Sequence, residues 1–156
     1  LEERDPGREE ARLEALLRRG FPIYEYVGLE VRAARDGIYR CFVPLRESNL
    51  NHIGTVHAAI QWAASEVLGG LVMMSIFHSR PVFGVVKGVS IEFKRPARSH
   101  ITVEATFSAA DAEEVMATFE SEGEAGFKLK ARVLDDSGVE VAASEAEYLA
   151  RKPRGG

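Results

Sequence analysis

The longest apolar stretch of the chain, Ala58–Phe77, carries only four polar side chains, Gln61, Ser65, Glu66 and Ser75. A helix apolar nearly all round is a buried helix, so this stretch predicts a core helix about 20 residues long. On either side the pattern changes to the two-residue period of strands. Residues 29–35 and Ile38–Val43 read as a hairpin around the turn signal Asp36-Gly37. After Pro81 a long strand begins at Val82 and ends before Pro96. It sets Val85, Lys87, Val89, Ile91 and Phe93 on one side and Gly84, Val86, Gly88, Ser90 and Glu92 on the other. Residues 101–107 alternate, with Ile101, Val103, Ala105 and Phe107 inward. Residues 127–134 and 139–150 form a last pair of strands across the turn Asp135-Asp136-Ser137-Gly138. Two shorter helices complete the list. One covers residues 9–19, with Leu13, Leu16 and Leu17 on one face, Gly20 at its end and Phe21-Pro22 as a break. The other covers residues 111–121, with Val115, Met116 and Phe119 as its apolar face. Residues 44–50 are loop.

Antiparallel strands around one fully apolar helix imply an α+β domain. The sheet must curl around the helix, because a helix apolar on every side needs cover on every side. Residues 1–20 are expected to form an N-terminal helix and tail, 21–151 the main domain, and 152–156 a frayed tail. The chain of 156 residues is one domain's worth. The segment Ala58–Phe77 is also long enough to span a bilayer. However, Gln61, Ser65 and Glu66 lie near its middle and Gly69-Gly70 follow. A charge inside a membrane is costly, so the reading is a soluble core helix.

Composition narrows the function classes. With 46% hydrophobic and 28% charged residues the chain resembles a soluble globular protein. The net charge of -4 offers no general attraction to nucleic acid or an anionic membrane. The single cysteine, Cys41, excludes an internal disulfide and a Cys-rich zinc site. His52, His78 and His100 show no metal spacing, so no metal is expected. The N-terminal stretch is charged and lacks the apolar core of a secretory signal, which makes the cytoplasm the expected location. There is no Gly-rich phosphate loop or dinucleotide fingerprint.

The candidate chemistry lies at the start of the core helix. The first turn of a helix leaves backbone N–H groups without intrahelical partners and with partial positive charge. Such a turn at Gly54 to Ala59 suits a carbonyl oxygen that becomes an oxyanion. The small Ala58 and Ala59 let an acyl group approach, and Asn51 could donate a further hydrogen bond or orient water. A carboxylate at Glu66, inside the apolar run, is costly unless paired or functional. It could activate water or attack an acyl carbon directly. Trp62 and Gly70 lie one turn either side of Glu66 and could wall and open a pocket. Glu66 follows His57 by nine residues, about 13 Å along the axis and half a turn round. One reacting carbon cannot touch both places on one helix, so a shared site needs two chains, as a two-fold homodimer would supply. Plainer roles stand beside these. Glu66 could be an internally satisfied acid, His57 a helix cap, Asn51 a turn residue, and Trp62 core. Lys87, Lys94, Arg95 and Arg98 could bind phosphates or be solvated strand ends.

At these residues the chain resembles the hotdog-fold acyl-CoA thioesterases of the phenylacetic-acid and 4-hydroxybenzoyl-CoA type, nearest a branch carrying His-Ala-Ala. That family's pattern is Asn, Gly three later, His six later, two small residues, and Asp or Glu nine after the His. Asn51, Gly54, His57, Ala58-Ala59 and Glu66 stand at those spacings. The likeness continues through Phe93-Lys94-Arg95-Pro96-Ala97. It departs at Ala58-Ala59, usually Gly-Gly, at the helix over 111–121, and at Gly84, where the family often places Ser or Thr.

The resemblance implies a hotdog fold, a curled antiparallel sheet wrapped around one long buried helix. It also implies hydrolysis of an acyl thioester, acyl-CoA above all, with coenzyme A part of the substrate and no separate cofactor. In those roles Ala58 N–H is the oxyanion donor, Asn51 holds the water or the thioester, and Glu66 is base or nucleophile. His57 belongs to the motif and is counted among its catalytic residues. Gly54, Ala59, Trp62, Gly70, Gly84, Lys87, Lys94 and Arg95 would line the substrate. The sites would lie at subunit interfaces of a homodimer or homotetramer. Two other readings stay open: a module that binds acyl-CoA without turnover, and a hotdog hydratase.

Overall fold

The computed structural model of the protein describes residues 6–78 and 80–153. The elements run α1 (Pro6–Gly20), α2 (Pro22–Val27), β1 (Glu30–Arg35), β2 (Ile38–Val43), a 3-10 turn (Glu47–Asn49), α3 (Ala58–Phe77), β3 (Phe83–Phe93), β4 (Ile101–Thr106), α4 (Ala109–Glu122), β5 (Glu124–Leu134) and β6 (Glu140–Arg151). The strands form one six-stranded antiparallel sheet in the order β1-β2-β4-β5-β6-β3. The sheet wraps α3, which touches all six strands. This is the expected hotdog architecture, and the one helix among the described residues long and apolar enough for a bilayer is the core of an α+β domain.

Local chemistry explains most of the elements. Asp36 and Gly37 both take the left-handed conformation, at φ 53° and 75°, as a tight two-residue hairpin turn requires. Along β4 the alternation holds: Ile101, Val103 and Ala105 are buried and Thr106 is exposed. α4 starts on a capping box, in which Ser108 Oγ accepts from Asp111 N while the Asp111 carboxylate accepts from Ser108 N. That cap extends the helix beyond residues 111–121, and its Val115 and Phe119 are buried, Phe119 against Phe77 at the end of α3.

The structure adds four details. Phe21-Pro22 ends α1 but opens a second helix, because proline at the first helical position loses no intrahelical bond. α1 also packs on β1, and its Leu13 and Leu17 are part of the core. Arg151 is the last residue of β6, paired with both Glu124 and Phe83, so the strand runs one residue past the expected 139–150. Residues 1–5 and 154–156, expected as tails, lie outside the described residues. β3 does not show one buried and one exposed side. Val85, Val89 and Ile91 are half-buried, and the rest, including Lys87 and Phe93, is exposed. It is an edge strand bonded only to β6, with a register shift between Val86 and Gly88.

The cover on α3 is also incomplete. Val67, Leu68, Leu71 and Val72 are fully enclosed. A stripe at Ala59, Trp62, Ala63, Glu66 and Gly70 is exposed or half-buried, and these positions share one helix face. An apolar helix therefore keeps one open seam in the single chain.

Two adjacent glycines in α3 respond to opposite demands. A Cβ on Gly69 would stand 2.2 Å from the ring of Tyr148, itself 1% exposed, whereas a Cβ on Gly70 meets nothing within 4 Å. Alanine gains about 1 kcal/mol of helix propensity at either site, but overpacking a rigid core costs roughly 1–3 kcal/mol. Gly69→Ala should lower the urea midpoint, and Gly70→Ala should hold or raise it, both read by equilibrium unfolding.

Candidate functional site

The loop before α3 is built by Asn51. Its Oδ1 accepts from Ile53 N (3.1 Å) and Thr55 N (3.0 Å), and its Nδ2 donates to Thr55 Oγ1 (2.8 Å). Asn51 N donates to Thr55 O and Gly54 N to Asn51 O. Gly54 closes the turn at φ 75° with no atom near its missing Cβ, a conformation that favours glycine. The loop is anchored outside itself as well. Val56 N donates to Ala97 O, His57 N donates to Asn49 O, and Gln61 Nε2 donates to Val56 O. Asn51 is thus a turn residue here, and Ala97, 0% exposed, supplies an anchor from the segment after β3.

That loop delivers the first turn of α3 in a defined state. His57 is the N-cap, and its Nδ1 accepts from Ala59 N at 3.0 Å. Ile60 N and Gln61 N both donate to His57 O. Of the four amides in the first turn, only Ala58 N–H finds no acceptor among the described residues. Ala58 and Ala59 are exposed. The result is one free, outward N–H at the positive end of a 20-residue helix, the electrostatic setting that suits an oxyanion.

Glu66 sits two turns further along α3, half-buried. Its Oε2 accepts from Tyr24 Oη at 2.9 Å. Its backbone carbonyl accepts from Tyr148 Oη at 2.8 Å. Its Oε1 has no partner among the described residues, yet it is not sealed from solvent. Burial pushes the Glu66 carboxyl above the ordinary carboxylate range, with the Tyr24 hydrogen bond pulling the other way. Burial, then the Glu66 charge, drives Tyr24 and Tyr148 far up, so both remain donors. Glu66 is an open-sided carboxylate with strengthened basicity.

Ala58 and Glu66 do not meet in one chain. α3 is unbroken between them, which separates them by about 12 Å along the axis. Trp62, 38% exposed, and Gly70, with open space at its missing side chain, flank Glu66 on the uncovered stripe. Gly84 lies against Met73, whose sulfur would stand 2.6 Å from an added Cβ. It therefore sits about 10 Å beyond Glu66 along α3. Lys87 lies seven residues before Lys94 on the extended β3 segment, about 23 Å away, so the two cannot grip one phosphate within a chain. Lys94 is paired with Glu140, while Arg95 is exposed.

Two contributors had no signal in the sequence. Tyr24 reaches Glu66 from α2, across 42 residues of chain. Asn49, 0% exposed, donates from Nδ2 to Val27 O and Pro44 O, both at 2.8 Å, and so fastens α2 beside the loop. No local motif marks either, because both pairings are made by the folded chain alone.

Comparison with curated proteins finds no match. Among solved structures, a protein of unknown function from Pseudomonas aeruginosa, called a probable thioesterase, is 28% identical over 92% of this chain and 96% of its own, with a TM-score of 0.81. A Chlorobaculum tepidum protein of unknown function is 18% identical, with a TM-score of 0.84 over 95% of this chain and 97% of its own. A thioesterase from Haemophilus influenzae is 14% identical, with a TM-score of 0.72 over 92% of this chain and 90% of its own. The last two likenesses are of fold alone. Residues 9–149 match the family model described as a domain of unknown function, DUF4442, and the chain belongs to that family.

Proposed function

We propose that the chain is a homo-oligomeric hydrolase of acyl thioesters, with acyl-CoA as the substrate class. The observation that carries this reading is that α3 bears both halves of such a site, each open and each incomplete. One half is the free Ala58 N–H, the other the accessible Oε1 of Glu66. In the proposed reaction, water attacks the thioester carbon while its proton passes to Glu66 Oε1. The carbonyl oxygen, now an oxyanion, accepts from Ala58 N–H. Collapse breaks the C–S bond, and the leaving thiolate takes the proton from Glu66. Direct attack by Glu66, followed by hydrolysis of the anhydride, uses the same two groups. The name of the Pseudomonas neighbour points the same way.

The 12 Å separation is bridged by a second copy. The open seam of α3 and the unpaired edge of β3, with Phe83, Val86 and Phe93 exposed, supply surface for it. A two-fold pairing would set Ala58 of one chain opposite Glu66 of the other, twice per dimer. Ala59, Trp62 and Gly70 would line the acyl side, and exposed Lys87 and Arg95 would meet the coenzyme A phosphates.

The rival reading is a module that binds acyl-CoA without turnover. On its side stands the engagement of Asn51 and His57 Nδ1 within their own loop, where they brace the turn and cap the helix. A panel of acyl-CoAs separates the two: free thiol released with catalytic turnover supports the hydrolase, and binding without release supports the module.

Glu66→Gln should cut turnover by about 10²–10⁴-fold, measured as thiol release. The same change should stabilise the fold at neutral pH. The folded state binds the Glu66 proton more tightly than the unfolded chain, so this group's contribution is best below the ordinary carboxylate value and is lost as pH rises through the raised one. The advantage of Gln should therefore shrink as urea melts are moved down towards about pH 4.

Ala58→Pro removes the one free N–H at a helix position that accepts proline and should lower kcat by about 10²–10³-fold. Mixing inactive Glu66→Gln chains with inactive Ala58→Pro chains, then refolding them together, should restore activity through one intact site per mixed dimer. No recovery, or a monomer in sedimentation, would rule out a site shared between chains.

A further inference from the structure

We infer that Tyr24 is the positioning residue of Glu66: its hydroxyl holds Oε2 and leaves Oε1 as the only oxygen free to take the proton from water. The inference rests on the hydrolase reading and assigns a residue from outside the Asn51–Glu66 segment to that site.

A carboxylate free to rotate offers either oxygen in many directions. One hydrogen bond to Oε2, 2.9 Å long, removes that freedom and aims the other oxygen. Tyr24 is well placed to do this. It is 7% exposed, and its ring meets Phe21 edge-on at 5.7 Å. α2 is closed behind it by Gly28, left-handed at φ 69°, whose N–H donates to Glu25 O and Tyr24 O. Asn49 fastens the helix end through Val27 O. The main chain at Glu66 is held independently: Tyr148 Oη donates to its carbonyl, and the Tyr148 ring stacks on Phe127 at 5.2 Å.

The groups around the carboxyl make Tyr24 a one-way donor. From α2 it faces Tyr24, and from β6 Tyr148. Cys41 on β2, close enough to act on Tyr24, has its thiol pushed far up by complete burial and stays neutral. No cation is among the groups that act on Glu66. The hydroxyl of Tyr24 therefore favours the ionised carboxylate without giving up its proton. Met73, two turns beyond Glu66 on α3, occupies the space beside Gly84, so β3 brings no side chain to this job at that position.

Tyr24→Phe keeps the ring and removes only the donor. It should lower kcat about tenfold, as expected for a lost hydrogen bond to a charged group, with KM nearly unchanged. It should also move the acidic limb of the pH profile of kcat/KM to higher pH, because the bond that favours the carboxylate is gone. The Glu66 carboxyl titration, followed by NMR on carboxyl-labelled protein and assigned against Glu66→Gln, should shift upward in parallel. Tyr148→Phe is the control: it removes a hydroxyl from the same residue's carbonyl, so stability should fall while the acidic limb stays in place. An unmoved titration in Tyr24→Phe overturns the inference. A moved titration with an unmoved pH profile also overturns it, since the bond would then be structural only. If Glu66→Gln retains turnover, the hydrolase reading fails instead, and the NMR titration distinguishes that failure from the other.

Discussion

A helix that is apolar on almost every side can exist in water only if other elements enclose it, and the rest of this molecule answers that demand. Six strands curl around α3. The enclosed residues Val67, Leu68, Leu71 and Val72 pull the sheet inward, while Gly69 lets the Tyr148 ring approach closer than any side chain would allow. Burial of this kind is the main favourable term in folding. Its incompleteness is as informative as its extent. The seam at Ala59, Trp62, Glu66 and Gly70 faces away from the sheet's cover, and the edge of β3 is unpaired. Core-forming surface left open in one chain is what the proposed second copy would cover.

The carboxylate on that seam lives under opposed forces. Partial burial disfavours its charge, and Tyr24 favours it. The balance leaves an acid that is more basic than a surface glutamate but still hydrogen-bonded on one oxygen. At the other end of the accessible seam, the capping of α3 is almost complete. His57 takes three of the first-turn amides through its ring and its carbonyl, leaving Ala58 N–H without an acceptor among the described residues. Both features come from ordinary structural chemistry: a cap that uses up neighbouring donors, and a tyrosine that satisfies a buried oxygen. Their chemical potential lies in what each leaves unpaired.

The loop between β2 and α3 connects these parts mechanically. Asn51 braces the loop from within, Asn49 ties it to α2 and to Pro44 just after β2, and Ala97 holds it from the segment after β3. α2, which carries Tyr24, is fastened by the same Asn49 that accepts from His57 N. The donor at Ala58 and the orientation of Glu66 thus share one buried residue: its side chain fastens α2 and its main-chain carbonyl holds His57.

Much was legible in the chain itself. The apolar run, the period-two strands, the Asp36-Gly37 turn and the first-turn position of Ala58 follow from local periodicity and turn chemistry, which act over a few residues and so are written in consecutive positions. The acid in the run was equally plain, because a single charge in an apolar helix stands out against its neighbours. What local pattern could not carry was decided by the fold. α2 after Phe21-Pro22, the edge position of β3, the meeting of Tyr24 with Glu66 and the close fit of Tyr148 on Gly69 all join residues far apart in the chain. Such pairings depend on how the sheet closes around α3, and no short stretch of sequence encodes a distance between segments that only tertiary packing brings together.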